Sequence, residues 1–150
     1  MPRVEVTRLI RAPRPRVYQL VKRIEEYPRF MKDVLSVRVL EQGDGWQVTE
    51  WVTQLEGRRL SWKEREEFDD QACRIRYRQL EGDLKQFEGE WILEEVPEGT
   101  RVTLTVEFDL GIPMLAALLH PIAKVKVREN AEAMLEAIRA RAEGEQPGPP

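Results

Sequence analysis

The sequence predicts an α+β fold in which a seven-stranded antiparallel sheet packs against one long C-terminal helix. Between residues 34 and 108, apolar side chains recur with the period of about two that is typical of strands. After Pro121, apolar or small residues return at intervals of three and four, which places them on one helical face: Ala123, Val127, Ala131, Met134 and Ile138. Neither element can bury its apolar face alone, so we expect the helix to cover the sheet.

Length and composition indicate one domain with a short tail. We place the domain at residues 1–143 and expect a disordered tail at 144–150, where glycine, glutamine and proline occur without apolar anchors. The 24 basic and 27 acidic residues are mixed along the chain, which argues against nucleic-acid binding. No apolar run has membrane-spanning length and no signal-peptide core is present, so we expect a cytoplasmic protein without stable membrane insertion.

Cysteine and histidine are too scarce to build a disulfide or a His/Cys metal site. The chain has one of each, Cys73 and His120. A single cysteine excludes an internal disulfide and fits a reducing compartment. We therefore expect neither a metal nor another cofactor.

The first 31 residues predict one strand and two short helices. The strand covers Arg3–Arg11 and ends at a segment with two prolines. The first helix covers Arg16–Arg23, with Pro15 in its first turn, where a missing backbone N–H costs little. The second covers residues 25–31, with Pro28 near its start.

Six further strands follow, separated by turns that contain Gly, Asp or Pro. Their predicted bounds are Val34–Gln42, Trp46–Leu55, Arg58–Phe68, Ala72–Leu80, Lys85–Glu95 and Thr100–Phe108. Closing the hairpins places Trp51 opposite Trp62 and Trp91 opposite Leu104. The pairings define one inner face, which consists of Thr49, Trp51, Thr53, Trp62, Glu64, Glu66, Phe68, Ile75, Tyr77, Gln79, Phe87, Trp91, Leu93, Val102, Leu104, Val106 and Phe108.

A two-residue turn at Asp69-Asp70 would place Glu66 near Ile75 and Glu64 near Tyr77. Two carboxylates on a mostly apolar face are unusual, because burying an ionised carboxylate without a partner is costly. Three interpretations remain open from the sequence: the carboxylates line a cavity, they lie on a solvated edge, or they form ion pairs with nearby arginines.

The order of these elements resembles the helix-grip fold of the START-like superfamily, in particular its polyketide cyclase/dehydrase and coenzyme-Q-binding-protein-like branch. The resemblance covers roughly residues 2–142 and depends on the order and spacing of several short motifs. They are Ala12-Pro13 followed by Val17-Tyr18, Tyr27-Pro28-Arg29-Phe30-Met31, Leu60-Ser61-Trp62, Gly89-Glu90-Trp91 and Arg128-Glu129-Asn130.

The resemblance implies a deep apolar pocket between the sheet and the last helix that binds one hydrophobic ligand. The residues implied to contact this ligand are Trp51, Trp62, Phe68, Ile75, Tyr77, Phe87, Trp91, Leu104, Phe108, Asn130 and Met134. Asn130 falls on the apolar stripe of the helix, where its amide either contacts a ligand or is satisfied by nearby backbone.

Two positions depart from the pattern of the aromatase/cyclases in this superfamily. Those enzymes carry a cavity arginine on the strand after the Ser-Trp pair, where this chain has Glu66, and Arg65 points to the opposite face by alternation. They also carry a tyrosine where this chain has Val34. If the protein is an enzyme, the expected acid–base groups are Glu64 and Glu66, with Tyr77 nearby, because burial tunes carboxyl groups for proton transfer.

Three classes of function follow, in order of preference. The first is binding or carrying a hydrophobic small molecule such as a lipid, quinone, isoprenoid or polyketide-like compound. The second is a metal-free polyketide cyclase/dehydratase that uses the cavity carboxylates. The third is a protein-interaction role, against which the well-mixed charges argue. The apolar run from Met114 to Leu119 is expected to pack statically, for example as a plug at one end of the cavity, with a mobile lid or a homodimer contact as the alternatives.

Overall fold

The computed structural model describes residues 2–55, 57–111 and 113–144, with only the backbone described at 113–120. The expected tail beyond residue 144 lies outside the described residues. The elements in chain order are β1 (Arg3–Ile10), α1 (Arg14–Lys22), a 3₁₀ helix (Ile24–Arg29), β2 (Val34–Gly43), β3 (Trp46–Leu55), β4 (Arg58–Asp69), β5 (Arg74–Gly82), β6 (Gln86–Val96), β7 (Gly99–Asp109) and α2 (Pro113–Ala142).

The seven strands form one antiparallel sheet, in the order β1-β7-β6-β5-β4-β3-β2. Sequential hairpins generate every neighbour pair except one, because β1 crosses over to lie beside β7. This arrangement of one sheet and a long C-terminal helix confirms the α+β, helix-grip prediction.

The two short helices differ from the prediction in extent and type. Helix α1 begins two residues earlier than expected, at Arg14, and Pro15 does lie in its first turn. The second element is a 3₁₀ helix, and Pro28 lies near its end, so the predicted position near the start was wrong. Glu25 and Glu26 instead occupy the first turn, where acidic side chains interact favourably with the exposed backbone N–H groups.

Helix α2 is longer than predicted, because its backbone runs through Pro121 and begins at Pro113. An internal proline removes one backbone hydrogen bond but does not end a helix when packing supports both sides. The predicted apolar face is confirmed, since Ala131 and Ile138 are at most 2% exposed. Ala123, Val127 and Met134 are partly buried and pack against the same core.

The predicted pairs Trp51–Trp62 and Trp91–Leu104 are confirmed. The β4–β5 register was wrong by two residues, because Glu66 lies opposite Tyr77. The turn between these strands has four residues, not two, and ends at Cys73 with a φ of 53°. Because the register differs by an even number of residues, every side chain remains on its predicted face, and the predicted inner face is unchanged.

Helix α2 packs mainly against the strands at one edge of the sheet, β1 and β7. It contacts β1, β7 and α1, and its buried residues join those of α1 and the 3₁₀ helix in the main core. The inner face of β3 to β6 is farther from the helix, and this separation leaves space between the two layers.

Replacing Gly89 on β6 with alanine is expected to destabilise the protein by about 1–3 kcal/mol, because the new methyl group has no space. A Cβ at this position would collide with the Thr105 carbonyl and lie 2.6 Å from the Tyr77 hydroxyl. Urea unfolding measures the change. The control is Arg101→Ala at an exposed position of β7, expected to stay within about 0.5 kcal/mol of the parent. Equal stability of the two variants would contradict the packing described for Gly89.

Candidate ligand-binding cavity

A cavity of about 320 Å³ occupies the space between α2 and the inner face of the sheet. Small-molecule sites of about 300–1,000 Å³ with mostly apolar walls and few polar groups are typical in proteins. The lining comes from the 3₁₀ helix, the six strands β2 to β7, two loops and α2. It consists of Ile24, Tyr27, Val34, Trp51, Thr53, Leu55, Arg58, Leu60, Trp62, Glu64, Glu66, Ile75, Tyr77, Gln79, Asp83, Leu84, Phe87, Trp91, Leu104, Val106, Phe108, Leu110, Ala123, Lys126, Val127, Asn130, Ala131 and Met134.

Strands β3 and β4 arrange their inward side chains by depth. Glu66 is fully buried at the inner end, whereas Arg58 is exposed at the other end, which we call the mouth. Successive inward pairs along the two strands lie roughly 7 Å apart. From the inner end to the mouth the pairs are Gln47 with Glu66, Thr49 with Glu64, Trp51 with Trp62, Thr53 with Leu60 and Leu55 with Arg58.

The Glu66 carboxylate at the inner end accepts hydrogen bonds on both oxygens. Gln47 Nε2 donates to Oε1 at 2.9 Å, and Thr49 Oγ1 donates to Oε2 at 2.6 Å. Thr49 is itself held in place, because Trp51 Nε1 donates to its hydroxyl at 2.8 Å. Both oxygens of this buried carboxyl group therefore have a hydrogen-bond donor, as a buried polar group requires.

Glu64 lies beside Glu66 and is 3% exposed. Trp62 Nε1 donates to its Oε1 at 2.7 Å. Burial raises the pKa of Glu64 well above its usual value, and a hydrogen bond to Glu66 together with the charge of Glu66 raises it further. Burial beside a second carboxyl group therefore favours the protonated form of Glu64, as expected where two carboxyl groups occupy one buried site.

Two tyrosines face this acidic pair from neighbouring elements. The hydroxyl of Tyr27 donates to the Val21 carbonyl, and that of Tyr77 donates to the Thr105 carbonyl at 2.7 Å. Burial raises the pKa of both phenols, and the nearby glutamates add to the shift. Both phenols remain protonated at neutral pH and donate their protons to backbone carbonyls.

Aromatic rings form much of the wall between the acidic pair and the mouth. Trp51 and Trp62 stack with their ring centroids 5.3 Å apart and an interplanar angle of 13°. Phe87 packs against Trp62 at 5.3 Å and against Tyr77 at 5.7 Å. A wall of this kind fits a flat, apolar molecule better than a flexible polar one.

All the ligand-contact residues that the resemblance implied lie on the cavity wall except Phe68. Phe68 instead packs outside the cavity, where the Lys22 ammonium lies 5.1 Å from its ring centroid. Asn130 makes no side-chain hydrogen bond to any residue that the structure describes, so its amide is not satisfied by backbone.

The three expected acid–base candidates are brought together at the inner end. Glu64 and Glu66 are buried and bonded to uncharged donors, which excludes a solvated edge and an ion pair for them. Arg65 faces away from the cavity, with its guanidinium 4.4 Å from the Trp46 ring centroid. Val34, the position where the resemblance to aromatase/cyclases implied a tyrosine, lines the cavity.

Several site residues were not predicted from the sequence. Gln47 supports Glu66 but belongs to a stretch where three consecutive residues are buried, so simple alternation does not assign it. Leu55 and Leu60 alternate in phase with Trp51 and Trp62, and this signal could have identified them. Asp83 and Leu84 lie in a turn, where no periodic pattern exists.

Two negative findings concern the described residues. They contain no group of three or more His, Cys, Asp or Glu side chains that could hold a metal ion. None of their helices is long and apolar enough to cross a membrane.

Glu64→Gln is expected to flatten the pH dependence of stability. Because the pKa of Glu64 is higher in the folded than in the unfolded chain, the folded state binds its proton more tightly. Raising the pH above about 4.5 therefore removes stability from the parent protein. Between about pH 5 and pH 8, the variant should lose less unfolding free energy than the parent, by on the order of 1 kcal/mol.

Urea unfolding at several pH values measures this effect. The control is Glu67→Gln, which removes one carboxylate from an exposed position of the same strand. Parallel stability curves for the parent and Glu64→Gln would show that Glu64 holds no extra proton.

Comparison with known proteins places this architecture in a family. Residues 10–135 match the model of the family described as polyketide cyclase / dehydrase and lipid transport. A curated relative, the actinorhodin polyketide synthase bifunctional cyclase/dehydratase of Streptomyces coelicolor, is 30% identical over 151 residues. The match covers 97% of this chain and 45% of that protein, so the chain spans less than half the length of this relative.

Two crystal structures are also similar over nearly the whole chain. One is TTHA0849 from Thermus thermophilus, with a TM-score of 0.90, 35% identity, and coverage of 95% of this chain and 98% of that one. The other is the Zhui aromatase/cyclase from a Streptomyces species, with a TM-score of 0.86, 27% identity, and coverage of 95% and 93%. The chain therefore belongs to the polyketide cyclase/dehydrase and lipid transport family.

Proposed function

We propose that the protein binds one hydrophobic, ring-containing molecule in the cavity between α2 and the sheet. The observation that carries this proposal is the wall itself: stacked and tilted aromatic rings enclose about 320 Å³, with few polar groups among them. An ordinary core would fill this volume, because close packing is the rule in protein interiors. Family membership supports the same reading, since its description includes lipid transport.

The shape of the wall supports a flat ligand over a long acyl chain. The Trp51–Trp62 stack and the Phe87 ring present flat surfaces, and aromatic contacts add binding energy beyond simple burial. Within the classes considered, a quinone or a polyketide-like compound fits these surfaces best. The proposed contact residues are the cavity residues named from the resemblance, without Phe68, and with Thr53 added.

Met134→Trp is expected to weaken ligand binding by about tenfold or more, because the indole fills space that a ligand would occupy. Met134 is partly buried on α2 and lines the cavity. Binding of the flat quinone 2-methyl-1,4-naphthoquinone can be followed by quenching of tryptophan fluorescence, with calorimetry as a second measurement.

The matched control is Ala133→Trp, which adds the same side chain at the neighbouring exposed position of α2. It should bind the quinone as the parent does. Tight binding to Met134→Trp, or no binding to the parent by any flat probe, would count against a cavity ligand.

A second candidate function is metal-free cyclisation or dehydration of a polyketide-like substrate. The specific observation in its favour is that Glu64 holds a proton directly beside Glu66 at the end of an aromatic cavity. In a dehydration, a base removes the proton next to a carbonyl group, and an acid protonates the departing hydroxyl, which leaves as water. The two relatives described as cyclases support this candidate, although the cavity arginine and tyrosine expected for such enzymes are replaced by Glu66 and Val34.

If this candidate is correct, Glu64→Gln and Glu66→Gln should each lower turnover of a linear poly-β-ketone thioester by about 100-fold or more, the usual contribution of a general acid or base. Product formation can be followed by chromatography with mass detection. Glu67→Gln should retain full turnover. Parent-like activity of both cavity variants would exclude the carboxyl pair from the chemistry.

A further inference from the structure

We propose that the inner end of the cavity binds a basic amine, so that the preferred ligand is a hydrophobic ring system carrying a protonated nitrogen. The ammonium group would lie against Glu64 and Glu66 and replace the proton that they share. This inference rests on the proposed function, because it requires the cavity to be a ligand site.

The first support is the charge of the inner end. Glu64 and Glu66 are its ionisable acids, and their donors Gln47, Thr49 and Trp62 are all uncharged. The basic residues on the described cavity wall are elsewhere. Arg58 is exposed six residues along β4 from Glu64, roughly 20 Å away, and the ammonium of Lys126 lies 3.8 Å from Glu129 at the surface of α2.

The second support is the ring composition of the wall next to this acid pair. Trp51, Trp62, Tyr77 and Phe87 surround the route from the mouth to Glu64. The faces of aromatic rings carry partial negative charge and attract cations, and cages of such rings recognise amines. The rings therefore favour the same sign of ligand charge as the carboxyl pair.

A third, independent observation indicates that the cavity is prepared for a ligand. Thr53 lines the cavity and is only 9% exposed, yet its hydroxyl has no hydrogen-bond partner among the described residues. Since no fully buried side-chain oxygen lacks a partner among the described residues, this hydroxyl keeps some accessible surface, where a ligand group can form a hydrogen bond with it. Thr53 lies one inward pair closer to the mouth than Trp51 and Trp62, where it would contact the body of a ligand whose amine reaches Glu64.

The exchange conserves charge at the inner end. Before binding, one proton on two carboxyl groups gives a net charge of −1; afterwards, two carboxylates and one ammonium give the same net charge. The ammonium N–H groups donate to the oxygens that shared the proton, and the proton leaves to solvent. A ligand carboxylate would instead add a second negative charge, which the uncharged donors around the pair cannot neutralise.

Binding of an amine should therefore strengthen as pH rises. The titratable groups facing Glu64 are Glu66 on its own strand, Tyr77 on β5 and Tyr27 on the 3₁₀ helix, and both tyrosines remain protonated. The other charged groups on the wall are Asp83, Arg58 and Lys126. The proton released on binding is therefore assigned to the carboxyl pair, which the ammonium contacts.

The test compares three probes with one ring system: 2-naphthylmethylamine, 2-naphthylmethanol and 2-naphthoic acid. Calorimetry at about pH 7.5 should show that the amine binds about tenfold more tightly than the alcohol, and that the acid binds most weakly. Repeating the amine titration in buffers with different ionisation enthalpies should show release of about one proton per amine bound.

Glu64→Gln should abolish proton release, because the remaining Glu66 carboxylate can pair with the ammonium directly. Glu64→Gln combined with Glu66→Gln should bring the amine to the affinity of the alcohol, and Glu67→Gln should behave as the parent protein. The amine preference is overturned if amine and alcohol bind equally to the parent, or if the preference persists in the double variant. Failure of all three probes to bind would overturn the proposed cavity function as well, so the two failures can be distinguished.

Discussion

The packing of α2 against the strands at one edge of the sheet determines where the cavity lies. The helix buries its apolar residues against β1, β7 and α1, and the sheet continues beyond this contact through β6 to β2. The inner faces of β3 to β6 therefore need another way to exclude water. Large aromatic rings provide it, because their stacked and tilted contacts span space that smaller side chains would leave open. The cavity is a consequence of this division between two halves of the sheet.

The acidic pair illustrates how a costly group can persist inside such a cavity. Each oxygen of Glu66 has an uncharged donor, and the donor Thr49 is oriented by Trp51. Among the described residues, every side-chain nitrogen or oxygen that is fully buried has a hydrogen-bond partner. A network satisfied in this way is sensitive to the loss of any member, because each removal would strand a buried polar atom. Strands β3 and β4 thus combine the roles of core and polar site.

The fold and the inner face were predictable from the sequence because alternation is a strong signal. Strand β3 has its predicted bounds, Trp46–Leu55, and the inward positions of Glu64 and Glu66 followed from the same alternation. Features that depend on local backbone choices were not predictable. The turn before Cys73 was too long for the assumed hairpin, and the helical backbone continues through Pro121. Phe68 was placed in the cavity because alternation shows the face of a strand but not how far the cavity extends along it.

The position of β1 has a consequence for how the chain reaches its native state. Its partner β7 lies about a hundred positions later, as the pair Val4–Val106 shows, and the Arg11 N–H donates to the carboxylate of Glu143, which follows 132 residues later in the chain. At about 5–20 residues per second, a ribosome needs on the order of ten seconds to synthesise the intervening chain. Throughout that time the apolar side of β1 has no partner strand, and contacts of such long sequence separation form slowly. The β1–β7 edge of the sheet therefore forms only after nearly the whole domain has been synthesised, and the nascent first strand stays unpaired until then.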